Sequence, residues 1–186
     1  KGIFTMAKKA DRKTIDVTFT LLGLAMTVVL FVAGCIGMYA YNFATTNVKN
    51  ELVAQKIFFP PAGSPGLDAK EFPGLQKYGG QQVDNGVKAK AYANEFIGKH
   101  LEKIADGKTY SEVSALAMKD PTNAKLAAQK QTLFQGETLR GILLGDGYAY
   151  WTFGMIAYYA ALLAFAGAAI MLVLVLLGYR RIKQAK

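Results

Sequence analysis

Two long, uninterrupted runs of apolar residues dominate the hydrophobic pattern of the chain. Val17–Tyr41 has 25 residues, Gly154–Leu177 has 24, and neither run contains a charged side chain. At about 1.5 Å of rise per residue, such a helix reaches about 36 Å, more than the roughly 30 Å hydrocarbon core of a bilayer. Buried helices of soluble proteins seldom run past about 20 residues without a polar face. The pattern therefore predicts two transmembrane helices, at residues 17–41 and 151–178.

Residues 42–150, between the two runs, have the mixed composition of a soluble domain. Four of the five prolines lie between positions 60 and 73, and glycines recur up to Gly86. This composition predicts an extended, non-helical arm over residues 57–87. Apolar residues then return at helical spacing, which predicts a helical part over residues 88–144. The predicted fold class is an all-α membrane protein, a hairpin of two transmembrane helices with a mainly helical domain between them.

Local signals place the helix boundaries within this helical part. Asp106-Gly107 predicts the end of a first helix, and Thr109 followed by Glu112 is the capping-box pattern that opens a second. Asp120-Pro121 predicts the start of a third helix, which ends near Gly136. Gly145-Asp146-Gly147 predicts a turn before the second apolar run.

The basic residues indicate the orientation of these segments. The tails, residues 1–16 and 179–186, hold nine basic residues against two acidic ones, so most of the formal charge of +9 flanks the apolar runs. Positively charged flanks stay in the cytoplasm. The sequence therefore predicts a multi-pass plasma-membrane protein with cytoplasmic termini and an extracytoplasmic domain. Because the charge is split between two short flanks rather than gathered on one face, we expect contact with the lipid bilayer and not with nucleic acid.

The only cysteine raises the possibility of lipoprotein processing. Val32-Ala33-Gly34-Cys35 follows basic residues and an apolar run, as in a lipoprotein signal sequence. The apolar run continues past Cys35, which favours an uncleaved membrane anchor. A single cysteine also excludes an internal disulfide.

Candidate chemistry is sparse along the chain. His100 and Cys35 are the only residues of their kinds and lie on opposite sides of the predicted membrane interface, so no multi-ligand metal site is expected. No nucleophile elbow, P-loop or dinucleotide fingerprint occurs, and neither apolar run carries an ionisable group of the kind that marks an ion route. We expect no catalytic activity and no cofactor.

Two features favour binding to a partner. The second apolar run carries a stripe of small residues, which allow close helix packing in lipid: Gly154, Ala157, Ala161, Ala164 and Ala168. The first run carries a similar set, Gly23, Thr27, Gly34 and Gly37. The stripes are expected to pack on each other, to dock on a partner helix, or both. Outside, the Pro-rich arm carries Phe58 and Phe59, which we predict to contact a partner.

Several segments together resemble a family of small actinobacterial two-span membrane proteins. They are Leu52–Ile57, Ala89–Ala93 with His100, Gly107–Glu112 and Gln131–Leu144, and the resemblance extends over most of residues 17–178. Some members carry a ring-opening dioxygenase label, but this sequence lacks a ligand set for iron. Actinobacterial membrane proteins of this size also occur as accessory subunits of the cytochrome bcc–aa3 respiratory supercomplex.

The leading functional hypothesis is therefore a non-catalytic accessory subunit, bound to other integral membrane subunits of a larger complex such as a respiratory supercomplex. The alternatives are a stand-alone envelope protein with a ligand-binding or sensing domain, and an oligomeric channel.

Overall fold

The computed structural model describes the backbone of residues 2–184 and the side chains of residues 12–184. Lys1 and residues 185–186 of the predicted basic tails lie outside the described residues. Six α-helices follow in chain order: α1 (Gly2–Ala54), α2 (Gly86–Ala91), α3 (Gly98–Ile104), α4 (Tyr110–Lys119), α5 (Ala124–Ile142) and α6 (Tyr150–Gln184). A 3₁₀-helix spans Pro73–Tyr78, and two π-helical segments span Tyr92–Ile97 and Leu143–Ala149. No strand occurs in the described part of the chain, so the all-helical prediction is confirmed.

Helices α1 and α6 are each long and apolar enough to cross a membrane, as the two apolar runs predicted. Both helices continue beyond those runs. Helix α1 includes most of the predicted N-terminal tail and extends to Ala54, and α6 extends from Tyr150 to Gln184. Residues 1–42 and 155–186 form one compact unit. Within it, small residues bring the helices together. A β-carbon on Gly34 would lie 2.6 Å from the Phe165 ring, and one on Gly23 would lie 3.0 Å from Val175.

Residues 43–154 form the second compact unit, which has its own hydrophobic core. The largest fully buried side chains of its main cluster are Phe59, Leu67, Leu75, Val83 and Leu143. The last two turns of α1 contribute Val48 and Leu52 to the same cluster. A smaller cluster joins Leu101, Ala105, Val113 and Leu133. Most of the apolar residues of this unit therefore serve its own packing.

The Pro-rich segment 57–87 is largely non-helical, as predicted, but it is not a free arm. Its two ends run antiparallel, since the Phe59 amide donates to the Gln81 carbonyl at 2.9 Å and the Val83 amide donates to the Ile57 carbonyl at 2.9 Å. A single β-bridge pairs Phe58 with Gln82. Helical structure resumes at Asn85, whose side chain caps α2 by accepting from the Lys88 amide.

The capping box that opens α4 is present as predicted, with the Thr109 and Glu112 side chains each bonded to the other's backbone amide. The chain also leaves α3 where predicted, and Asp106 and Gly107 adopt left-handed conformations with φ of 51° and 76°.

Three predicted boundaries are wrong. Helix α5 begins at Ala124 with Asn123 as its cap, because the Asn123 side chain accepts from the Leu126 amide, whereas Asp120 accepts from the side chains of Thr122 and Asn123. The turn predicted at Gly145–Gly147 does not form. The chain stays helical from α5 through the second π segment into α6, and neither Gly136 nor the glycine pair interrupts it.

Candidate functional site

Phe59, predicted to contact a partner, lies in the core of the second unit. It is 1% exposed, its ring stacks on Tyr78 at 5.3 Å, and it meets the edge of Tyr92 at 5.1 Å. Burial in this aromatic cluster raises the pKa of the Tyr92 hydroxyl. Since its ring is enclosed by the chain's own side chains, Phe59 has a packing role in this structure.

Phe58, its neighbour, points the other way and is 52% exposed. Backbone hydrogen bonds on both sides fix this orientation, because Phe59 donates to Gln81 and Val83 donates to Ile57. The Gln82 side chain adds a further tie by donating to the Val53 carbonyl at 2.8 Å. Successive side chains of an extended segment alternate in direction, so burial of Phe59 forces Phe58 outward. The exposed ring is thus carried on a backbone that is already ordered.

Two small residues of α6, Ala157 and Ala161, lie against α1. Ala161 is 1% exposed, Ala168 is 5% exposed and Gly154 is buried, while Ala157 and Ala164 are half-buried. A β-carbon on Gly37 would lie 3.0 Å from both the Ala157 carbonyl oxygen and the Ala161 methyl group. The stripe was expected to pack within the hairpin, to dock on a partner helix, or both, and this contact is packing within the hairpin.

Cys35 belongs to the first compact unit and His100 to the second. Cys35 is a free, exposed thiol on α1. His100 is exposed on α3, its Nδ1 lies 2.8 Å from the Phe96 carbonyl oxygen, and its ring stacks on Phe72 at 5.5 Å. Among the residues that the structure describes, no three His, Cys, Asp or Glu side chains come close enough to hold a metal ion together.

Two polar contacts that the sequence did not predict hold the second unit together. The Arg140 guanidinium donates to the Ala93 carbonyl and the Asn94 side chain and pairs with Glu137. Lys90 donates to the Tyr148 hydroxyl at 3.2 Å, and this hydrogen bond lowers the pKa of Tyr148. The partners in these ties between helices are more than 45 residues apart in sequence, and no local pattern reveals them.

Further large apolar side chains lie on the surface of the second unit. Met118 is 68% exposed, Val87 54% and Phe134 53%, although Phe134 has Tyr110 as a ring neighbour at 5.9 Å. Single exposed apolar residues are ordinary on soluble proteins. Phe58 differs from them because it lies in the non-helical segment, directly beside the buried Phe59, whereas Val87, Met118 and Phe134 lie on helices α2, α4 and α5.

No protein-family model matches the chain, and no curated protein or solved structure is detectably similar to it.

Proposed function

We propose that the protein is a non-catalytic accessory subunit of a larger membrane protein complex. In this proposal, α1 and α6 cross the plasma membrane through residues 17–41 and 151–178. The charged flanks, which include Arg12, Lys13, Arg180 and Arg181, stay in the cytoplasm, and residues 42–150 lie outside. The membrane assignment is supported by the length and composition of the two helices.

The observation that carries the subunit proposal is the pair Phe58 and Phe59. One ring completes the core while the next is held in solvent on a hydrogen-bonded backbone. Because the backbone at Phe58 is already ordered, only the side chain loses conformational freedom when a partner covers it, and aromatic anchors dominate protein interfaces. Phe58 is accordingly proposed as an anchor for the partner.

The membrane-spanning hairpin supplies the second part of the proposal. Because Gly34, Gly37 and Ala161 are occupied by contacts within the hairpin, its remaining surface is formed by larger apolar residues such as Leu163 and Ile170. That surface suits lipid or the apolar flank of another integral membrane subunit. The resemblance to actinobacterial two-span proteins makes a respiratory supercomplex the first partner to examine.

Native-gel migration after extraction in a mild detergent tests this proposal. The chain is expected to co-migrate with a complex many times its own 20.2 kDa and to remain with it through a second separation. Migration as an isolated small species would reject the subunit proposal in favour of a stand-alone envelope protein. Migration as an oligomer that contains only copies of this chain would favour a channel.

A further inference from the structure

A groove lies on the second unit beside the residues that complete its core. Its floor is apolar, with Val48 at 3% and Leu52 at 4% exposure and Gly147 buried. Its volume is about 250 Å³. The rim is formed by exposed side chains of two helical segments: Asn47, Glu51, Gln55, Ile142, Asp146 and Tyr150.

Helical spacing explains why these residues share one groove. Asn47, Glu51 and Gln55 follow one another at intervals of four near the end of α1, and Ile142, Asp146 and Tyr150 do the same around the second π segment. Residues four apart lie on one face of a helix. Gly147 allows the close packing beneath the groove, since a β-carbon there would lie 3.0 Å from Ala89.

The charge of the groove is opposite to that of the chain as a whole. Glu51 and Asp146 are its only charged lining residues, in a chain of net charge +9. Neither carboxylate has an ion-pair or hydrogen-bond partner within the described residues. By contrast, two other carboxylates of this unit, Asp84 and Glu71, are neutralised by Lys88 and Lys103. The groove therefore combines an apolar floor with two uncompensated negative charges.

We propose that this groove receives a segment of a partner subunit in which an apolar side chain is followed by a lysine. The apolar side chain covers Val48 and Leu52, and the lysine ammonium pairs with Glu51 or Asp146. The carboxamides of Asn47 and Gln55 on the rim are placed to bond the backbone of the incoming segment. This inference rests on the proposed function and names the chemistry by which the partner is recognised.

The dimensions and charge of the groove favour this occupant over the others. Sites for small organic ligands usually measure about 300–1,000 Å³, whereas this groove is of a size for one or two side chains. An anionic phospholipid headgroup brings a net negative charge, which the two carboxylates repel. A symmetric contact between two copies about this groove sets Glu51 and Asp146 against the same carboxylates of the other copy. A protein segment with an unpaired lysine meets none of these obstacles.

Charge reversal in the full-length protein tests the inference. Glu51→Lys replaces attraction by repulsion, and the fraction that co-purifies with the complex is expected to fall on the order of tenfold. Glu102→Lys is the matched control, because Glu102 is also an exposed helical carboxylate of the second unit that lies outside the groove. Circular dichroism and the thermal midpoint confirm that both variants fold. Equal retention of the folded Glu51→Lys and Glu102→Lys variants would overturn the inference.

Zero-length carbodiimide coupling in native membranes identifies the occupant directly. The reagent joins a carboxylate to an adjacent amine, so the expected product links Glu51 or Asp146 to a lysine of another subunit. In the Asp146→Asn variant, the cross-links formed through Asp146 should disappear. Products that contain only phosphatidylethanolamine, or only a lysine of a second copy, would contradict the inference. Wild-type protein that never co-migrates with a complex would defeat the proposed function. Wild-type co-migration with no groove cross-link, together with undiminished Glu51→Lys binding, would defeat only the groove.

Discussion

Replacing Phe58 by alanine removes the proposed anchor without disturbing the core. The Phe58 ring is 52% exposed, so about half of its surface remains for a partner to cover. Full burial of a phenylalanine contributes roughly 1.5–3 kcal/mol, and the remaining half is therefore worth about 0.8–1.6 kcal/mol. At about 1.4 kcal/mol per factor of ten, Phe58→Ala should weaken association about 4- to 15-fold. The free energy of unfolding should change little, because Phe59 fills the core beside it.

The assay is the retained fraction of the subunit as the detergent-solubilised complex is serially diluted. Met118→Ala is the control, since Met118 is 68% exposed and lies on α4, far along the chain from the Phe58 bridge. The midpoint of the dilution curve should shift for Phe58→Ala and stay in place for Met118→Ala. Identical curves for wild type and Phe58→Ala, with both proteins folded, would refute the anchor role.

Two further predictions concern packing and pH. Ala161→Leu places a larger side chain at a position that is 1% exposed and packs against Gly37. The thermal midpoint of the purified protein should therefore fall by the equivalent of about 1–3 kcal/mol, whereas Ala160→Leu at an exposed neighbouring position should have little effect. Equal midpoints for the two variants would contradict the packing described. Hydrogen bonds from the Thr109 backbone and hydroxyl lower the pKa of Glu112. The stabilisation from ionised Glu112 is therefore present above its unfolded-state pKa and is lost as the pH falls through its folded-state pKa. The protection of the amides at the start of α4, measured as hydrogen exchange relative to the intrinsic rate at each pH, should fall over that acidic range in wild type. This step should be absent in Glu112→Gln, and an unchanged step would reject the assignment.

The features predicted correctly from sequence are those set by neighbouring residues. Long apolar runs identify α1 and α6 because each crosses many turns without a charge, and Thr109 with Glu112 identifies a helix start because both partners lie within one turn. The end of α3 at Asp106 and Gly107 has the same local origin.

The errors arise where packing outweighs local preference. Gly145 and Gly147 disfavour a helix by roughly 1 kcal/mol each relative to alanine, which led to the predicted turn. In the structure Gly147 is the residue that allows close contact with Ala89, and the helix continues through it. Asp120-Pro121 resembles a helix start, but the Asn123 side chain reaches the Leu126 amide and α5 begins three residues later than Pro121.

The candidate site depends on contacts between distant parts of the chain. Which of Phe58 and Phe59 faces solvent is decided by pairing with residues 81–83, more than 20 positions away. Glu51 and Asp146 share a groove although 95 positions separate them. Sequence patterns identified the aromatic pair and the small-residue stripe as notable, but only the fold distinguishes a ring that packs inside from one that is free to bind.

Cysteine labelling in intact cells tests the topology on which all these proposals depend. In a Cys35→Ser background, a cysteine at Lys119 lies on α4 of the central domain and one at Gln184 lies at the end of α6, and both positions are exposed. With an impermeant maleimide added outside, the Lys119→Cys variant should be labelled, and Gln184→Cys should be labelled only after the membrane is opened. Labelling of Gln184→Cys in intact cells, with Lys119→Cys protected until lysis, would contradict the account.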